Sequence, residues 1–156
     1  MEINEASEKF RGEEIAPMHT AEHILNGTMV KMFGCQRACS SHIERKKSKC
    51  DYLLPAQLSA VEVEAIEARV NDVIAADMPV TFEFTEVGKL QQGRFDLSRL
   101  PVDATQMVRI VHIGDYDECL CVGAHVGHTA EVGRFRISST RYENGIQRIV
   151  YRLDRK

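Results

Sequence analysis

The dipeptide Asn144-Gly145 separates two runs of alternating character, Glu131 to Ser138 and Gln147 to Leu153. Asn-Gly suits the positive-φ backbone of a two-residue hairpin, and a period of two describes strands with one buried face. The C-terminal part of the chain is therefore expected to close on itself as an antiparallel hairpin. Val80, Phe82 and Phe84 alternate with polar residues in the same way, and read as a half-buried strand. Met107 to Ile113 reads as another.

Two stretches carry the helical period instead. Met18, Ala21, Leu25, Met29 and Met32 recur at helical spacing, with Pro17 suited to the first turn and Gly34 to the end. Ser59 and Glu62 have capping-box spacing, and Leu58 with Val63 fits a hydrophobic staple. Val63, Ile66, Val70 and Val73 form the buried stripe of that second helix, and Pro79 lies just beyond it. Residues 1–15 read as a leading strand or loop. Two helices among antiparallel strands make the expected class α+β, an antiparallel sheet packed on two main helices.

With 156 residues, 44% hydrophobic and 28% charged, the chain fits one domain, 1–156, that can bury a core without covalent staples. No apolar run approaches the roughly 20 residues of a membrane span, and the polar, acidic start resembles no signal or transit peptide. The cytoplasm is the expected location. Five cysteines, an odd count, do not suggest a disulfide framework. A net charge of −3 argues against a general nucleic-acid binder but leaves room for a local basic patch.

Reduced thiols and imidazoles are metal ligands, and two motifs place them. His19-Thr-Ala-Glu-His23 sets two imidazoles four apart on one helix face, one turn from each other. Asn26 and Val30 continue that face as an expected pocket wall. Cys121-Val-Gly-Ala-His125 offers a thiolate and a third imidazole, with glycine suited to a tight turn at a strand end. His19, His23, Cys121 and His125 together form a nitrogen and sulfur set that favours Zn2+ over magnesium or calcium. Cys35, Cys39, His42 and Cys50 match no familiar metal spacing, and Cys119 and His128 flank the second motif as spares.

The two motifs resemble those of a known family. HTAEHIL at 19–25 is similar to the first zinc motif of the alanyl-tRNA synthetase editing domain, and CVGAHVGHTAEVG at 121–133 to the second. SSHIERKKSKCDY at 40–52, ARVNDVIAADMPV and the closing RIVYRL resemble the segments around them. The likeness runs from about residue 15 to the end and points to the freestanding short form, the AlaX family. The related threonyl-tRNA synthetase editing domain has the same two motifs.

The resemblance implies an α+β zinc protein that hydrolyses mischarged tRNA in trans, notably seryl-tRNA(Ala) and also glycyl-tRNA(Ala). The zinc ligands carried over are His19, His23, Cys121 and His125. The partner implied is the acceptor end of tRNA, for a monomer or weak dimer. Ala124 replaces the threonine usual before the last ligand, and Cys50-Asp51-Tyr52 only partly keeps an aromatic-Asp-aromatic pattern. Family members read the substrate with a polar residue near the second strand, where Gln36 or Arg37 stands; Asn26 is a further candidate. Arg45, Lys46, Lys47 and Lys49 form the densest basic run and are candidates for phosphate contacts. Arg134, Arg136, Arg148 and Arg152 alternate on the C-terminal strands, open either to tRNA or to pairing with carboxylates.

Two other chemistries are compatible with the residues. His19-Thr-Ala-Glu-His23 also fits the H-x-x-E-H metallopeptidase pattern, with Glu22 as general base. A closed four-ligand zinc site suits a binding module without turnover, directed at tRNA or a protein.

Overall fold

A computed structural model describes residues 14–90 and 105–154. The expected lead-in at residues 1–15 lies outside them except for Glu14 and Ile15. The first helix, α1 (Ala16–Phe33), has proline in its opening turn. It ends at Gly34, whose φ of 66° lets its N–H reach back to Val30 O. The second, α2 (Ala60–Ala75), starts with a complete capping box. Ser59 Oγ accepts from Glu62 N at 3.1 Å, and Glu62 Oε1 accepts from Ser59 N at 2.8 Å. Ile66, Val70 and Val73 are buried as the stripe predicts, joined by Ile74, while Val63 packs only at the margin.

The strands divide into two antiparallel sheets. The larger contains β1 (Ser40–His42), β2 (Ser48–Leu53), β6 (Arg134–Glu143) and β7 (Ile146–Asp154), in the order β1-β2-β7-β6. The smaller contains β3 (Val80–Glu86), β4 (Met107–Ile113) and β5 (Asp117–Leu120) in sequence order. The α+β class is therefore observed, with two sheets where periodicity suggested one. Asn144 and Gly145 have φ of 54° and 79°, the turn that joins β6 to β7.

Two expectations need correcting. Glu131 and Val132 are not strand: Thr129–Val132 is a 3-10 turn, and β6 begins only at Arg134. The Glu131 carboxylate accepts from His128 N at 2.7 Å, and the buried Thr129 hydroxyl donates to Val73 O and accepts from Met78 N. These local bonds hold the backbone in a turn that alternation cannot reveal. The second correction concerns β3. Val80 is buried, but Phe82 and Phe84 are 46% and 66% exposed. The strand is real, but its apolar face is covered only at one end.

The core lies between the larger sheet and the helices. Cys50, Tyr52, Phe135, Ile149 and Tyr151 face Met18, Ala21, Leu25, Met29, Ile66 and Val70. Burying each large aliphatic side chain contributes roughly 1.5–3 kcal/mol. Two tyrosines also tie α1 to this sheet by polar bonds. Tyr151 Oη donates to Met18 O at 3.0 Å, and Tyr52 Oη donates to Asn26 Oδ1 at 2.7 Å. Other residues of α1 meet β5 and the turn after it, which brings the two sequence motifs together. Among the described residues, no helix is long and apolar enough to cross a membrane.

Candidate metal centre

His19 and His23 project from α1 one turn apart, their ring centroids separated by 5.0 Å. The segment following β5 folds back over them. His125 stacks on His19 at 4.3 Å and meets the edge of His23 at 4.4 Å. Cys121 Sγ lies 3.3 Å from His19 Nε2. One ligand atom from each of His19, His23, Cys121 and His125 lies within 4.8 Å of all the others. A tetrahedral zinc with bonds of 2.0–2.3 Å spaces its donors by about 3.3–3.8 Å. The cluster therefore needs only small side-chain adjustments to close on an ion. His23 is buried, and the other three are partly exposed.

The chemistry of the donor set fits a cation. His125 Nε2 is buried without a hydrogen-bond partner, a costly state for a polar atom unless something electron-poor meets it; His23 Nδ1, likewise without one, faces Asp117. Burial, then the neighbouring His125 and His19, push the His23 pKa well below the ordinary value of 6.5. Burial, then His19 and Arg109, bring His125 down to about 3. Both imidazoles are thus neutral and able to donate a lone pair. Burial opposes ionisation of Cys121, but hydrogen bonding and charge from His19 outweigh it and lower the thiol pKa. The same contact, acting against burial, raises that of His19.

Neighbouring residues hold these donors in place. Thr20 Oγ1 is 2.9 Å from His125 Nδ1 and accepts from Val126 N at 3.2 Å. When His125 Nε2 keeps its lone pair for a cation, Nδ1 carries the proton and donates it to Thr20. Ala124 O is 3.3 Å from His19 Nδ1, so position 124 serves through its backbone. Arg109 Nε donates to Cys121 O at 2.7 Å, and its Nη2 donates to Gly123 O. Asp117 Oδ2 stands 3.9 Å from His23 Nδ1. Arg37 grips Asp117 through two bonds of 2.6 and 3.2 Å. Burial works against the Arg37 charge, but the bonds and charge of Asp117 raise its pKa. Sequence spacing did not reveal Thr20, Arg109 or Asp117. The hydroxyl between the two histidines was the one visible hint.

The remaining candidates separate clearly. Glu22 Oε1 is 3.9 Å from both His19 Nε2 and His23 Nε2, at the edge of the cluster. Arg37 reaches the centre through Asp117, whereas Gln36 is exposed. Asn26 is buried, and its Oδ1 accepts from Tyr52 Oη and from Ala38 N at 3.2 Å. Val30 is 38% exposed. The expected pocket wall is therefore replaced by a buried polar tie to β2 and a surface valine. Cys35, Cys39, His42, Cys50, Cys119 and His128 take no part in the cluster.

The basic candidates lie elsewhere. Arg45, Lys46, Lys47 and Lys49 are exposed in and beside the β1–β2 turn, with Arg45 Nη1 4.0 Å from Glu14. On the outer face of the larger sheet, Arg136 stands opposite Arg152 and Arg141 opposite Arg148. Arg136, Arg141 and Arg148 pair with Asp154, Glu143 and Asp51. Arg134 stands opposite Asp154 in the same ladder.

Comparison with known proteins gives this geometry its context. Residues 108–150 match the family described as the threonyl and alanyl tRNA synthetase second additional domain. An alanine–tRNA ligase of Leptospira biflexa serovar Patoc is 32% identical over 142 residues, 86% of this chain and 15% of the ligase. The alanine–tRNA ligase of Methylacidiphilum infernorum is 36% identical over 126 residues, 79% of this chain and 13% of the ligase. That of Bacillus subtilis strain 168 is 32% identical over 130 residues, 82% of this chain and 14% of the ligase. Over most of its length the chain is thus related to a segment of alanine–tRNA ligases, and its C-terminal part matches the second additional domain of threonyl and alanyl tRNA synthetases. The chain spans about one seventh of the length of these curated relatives.

Proposed function

We propose that the protein is a zinc-dependent hydrolase that removes the amino acid from mischarged tRNA, seryl-tRNA(Ala) first and glycyl-tRNA(Ala) second. One observation carries this reading. The convergence of His19, His23, Cys121 and His125 occurs in a chain related to alanine–tRNA ligases over most of its length. The bond to be broken is the ester between the amino acid and the terminal ribose, and no covalent nucleophile is needed. A zinc ion in this donor set supplies Lewis acidity toward an ester carbonyl or a water.

The chain's own residues then have distinct tasks. The three imidazoles and the Cys121 thiolate hold the ion, and Thr20 and Ala124 O orient His125 and His19. In this reading the Glu22 carboxylate, 3.9 Å from two of the imidazoles, takes a proton from the attacking water at Oε1. The Arg37–Asp117 pair steadies His23 from the opposite side. Exposed Arg45, Lys46, Lys47 and Lys49 offer phosphate contacts to the acceptor end.

Four protein donors complete a tetrahedral shell, which favours the reading of a binding module without turnover. Partial exposure of three of the four donors favours turnover, because a substrate can reach them from solvent. The deciding experiment charges tRNA(Ala) with serine, glycine and alanine, and tRNA(Thr) with serine. Hydrolysis is followed with zinc content measured on the same protein. Rapid loss of serine from tRNA(Ala), abolished by zinc removal and restored by zinc, is expected. No turnover on any of these substrates by zinc-loaded protein would leave the binding module as the answer.

A further inference from the structure

Beside the candidate metal centre lies a surface that the four donors do not explain. Phe82 is 46% exposed, and its ring centroid is 6.4 Å from that of His125. Phe84 is 66% exposed and shares the Phe82 face of β3, because alternate strand residues point the same way. Val122, in the loop between the last two donors, is 91% exposed. Arg109 Cζ lies 4.4 Å over the Phe82 ring, and Phe84 is its cross-strand partner. Two large aromatics left in water on one strand face form the kind of patch that marks a binding surface.

We propose that Phe82 and Phe84, with Arg109, form a stacking platform for the unpaired bases at the 3′ end of tRNA. This rests on the reading of the protein as an aminoacyl-tRNA hydrolase. The ester to be cut is borne by the last ribose, so the base of that nucleotide must lie within a nucleoside's length of the metal. The Phe82 ring, 6.4 Å from that of His125, lies within that reach of the proposed donor. Exposed aromatics on a sheet face are a common means of holding single-stranded bases, because every base offers a π-face. The cation makes the patch complementary to a phosphate backbone, unlike a purely apolar protein-docking surface. Arg109 also donates to Cys121 O and Gly123 O, which fixes the platform relative to the donor loop. A base stacked there would enter in one orientation with respect to the ester.

The chain contains no tryptophan, so Phe84→Trp introduces a single reporter. Its fluorescence is titrated with a minihelix of the tRNA(Ala) acceptor stem ending in its unpaired 3′ tail. A matched minihelix carries abasic ribose through that tail. Quenching by the first and none by the second is expected. In parallel, Phe82→Ala/Phe84→Ala is assayed on seryl-tRNA(Ala). KM should rise roughly five- to a hundredfold, with kcat and zinc content retained, and Phe82→Tyr/Phe84→Tyr should restore it. Equal response to the two minihelices, or an unchanged KM, overturns the platform while leaving the hydrolase reading intact. If the wild-type protein hydrolyses no charged tRNA, the hydrolase reading falls and the platform falls with it.

Discussion

Gly123 lies directly against the His19 imidazole: a Cβ built on it would sit 2.1 Å from Cε1 and 2.4 Å from Nδ1 of that ring. The contact locks the donor loop onto α1 and leaves no room for a methyl group. Gly123→Ala must therefore displace either His19 or the loop that carries Cys121 and His125. The variant should lose most of its zinc after dialysis against a weak chelator, measured by elemental analysis, with its circular dichroism unchanged. Val122→Ala, one residue away and 91% exposed, should retain the metal. Full zinc occupancy in the glycine variant would show that the loop yields more easily than its packing implies.

Thr20 touches the proposed ion only through His125. Loss of its hydroxyl leaves His125 Nδ1 and Val126 N without their partner. Partners of this kind typically contribute ten- to a hundredfold in metal affinity. Thr20→Val should weaken zinc binding by about that factor in competition with a chromophoric chelator. Thr20→Ser should remain close to the wild type. Equal affinities for valine and threonine would remove Thr20 from the site.

Acid should destabilise the metal-free protein before its carboxylates titrate. Burial holds both His23 and His125 neutral, with pKa values below the 6.5 of an exposed histidine and about 3 for His125. As pH falls below 6.5, the unfolded chain takes up protons that these two rings refuse, so stability falls toward pH 3. His19, raised despite burial by its contact with Cys121, works in the opposite direction. Two lowered rings against one raised ring set the sign. The urea midpoint of zinc-free protein should be lower at pH 5 than at pH 7, and His125→Asn should reduce the difference. Equal midpoints in the wild type would contradict this account.

Asn26 joins α1 to β2 through Tyr52 Oη and to the chain before β1 through Ala38 N. Both donors would be stranded by Asn26→Ala, at a cost of about 1–3 kcal/mol each where they are fully buried. A marked fall in the denaturation midpoint is expected with zinc content preserved. Tyr52→Phe should show a smaller part of the same loss. A change in amino-acid selectivity at unaltered stability would instead make Asn26 a reader of the substrate.

The helices were legible because local chemistry specifies them: Ser59 and Glu62 announce α2, and Pro17 and Gly34 bracket α1. The four donors were also legible as candidates, since imidazoles and thiols are sparse and their spacing is conspicuous. What spacing could not convey was coverage. Alternation along β3 shows that Phe82 and Phe84 share a face, but only the fold reveals that nothing described covers it beyond Val80. Nor could Arg37 and Asp117, 80 positions apart, be paired from their surroundings in the chain. The short strands β1 and β5 offered too few residues for a period to register. The turn at Thr129–Val132 was hidden because buried hydroxyl bonds, not hydrophobic rhythm, determine it.

The contact between His19 and Cys121 joins positions 102 apart in the chain. An ion gripping both ends would act as a clasp across most of the polypeptide, denying the unfolded chain the freedom to separate them. Closing a loop of this length costs entropy that grows only with the logarithm of its size, and a cross-link removes that cost from folding. Metal supply would then govern more than turnover. A chain starved of zinc would open first where α1 meets the β5 loop, offering that seam to proteases while the larger sheet still held.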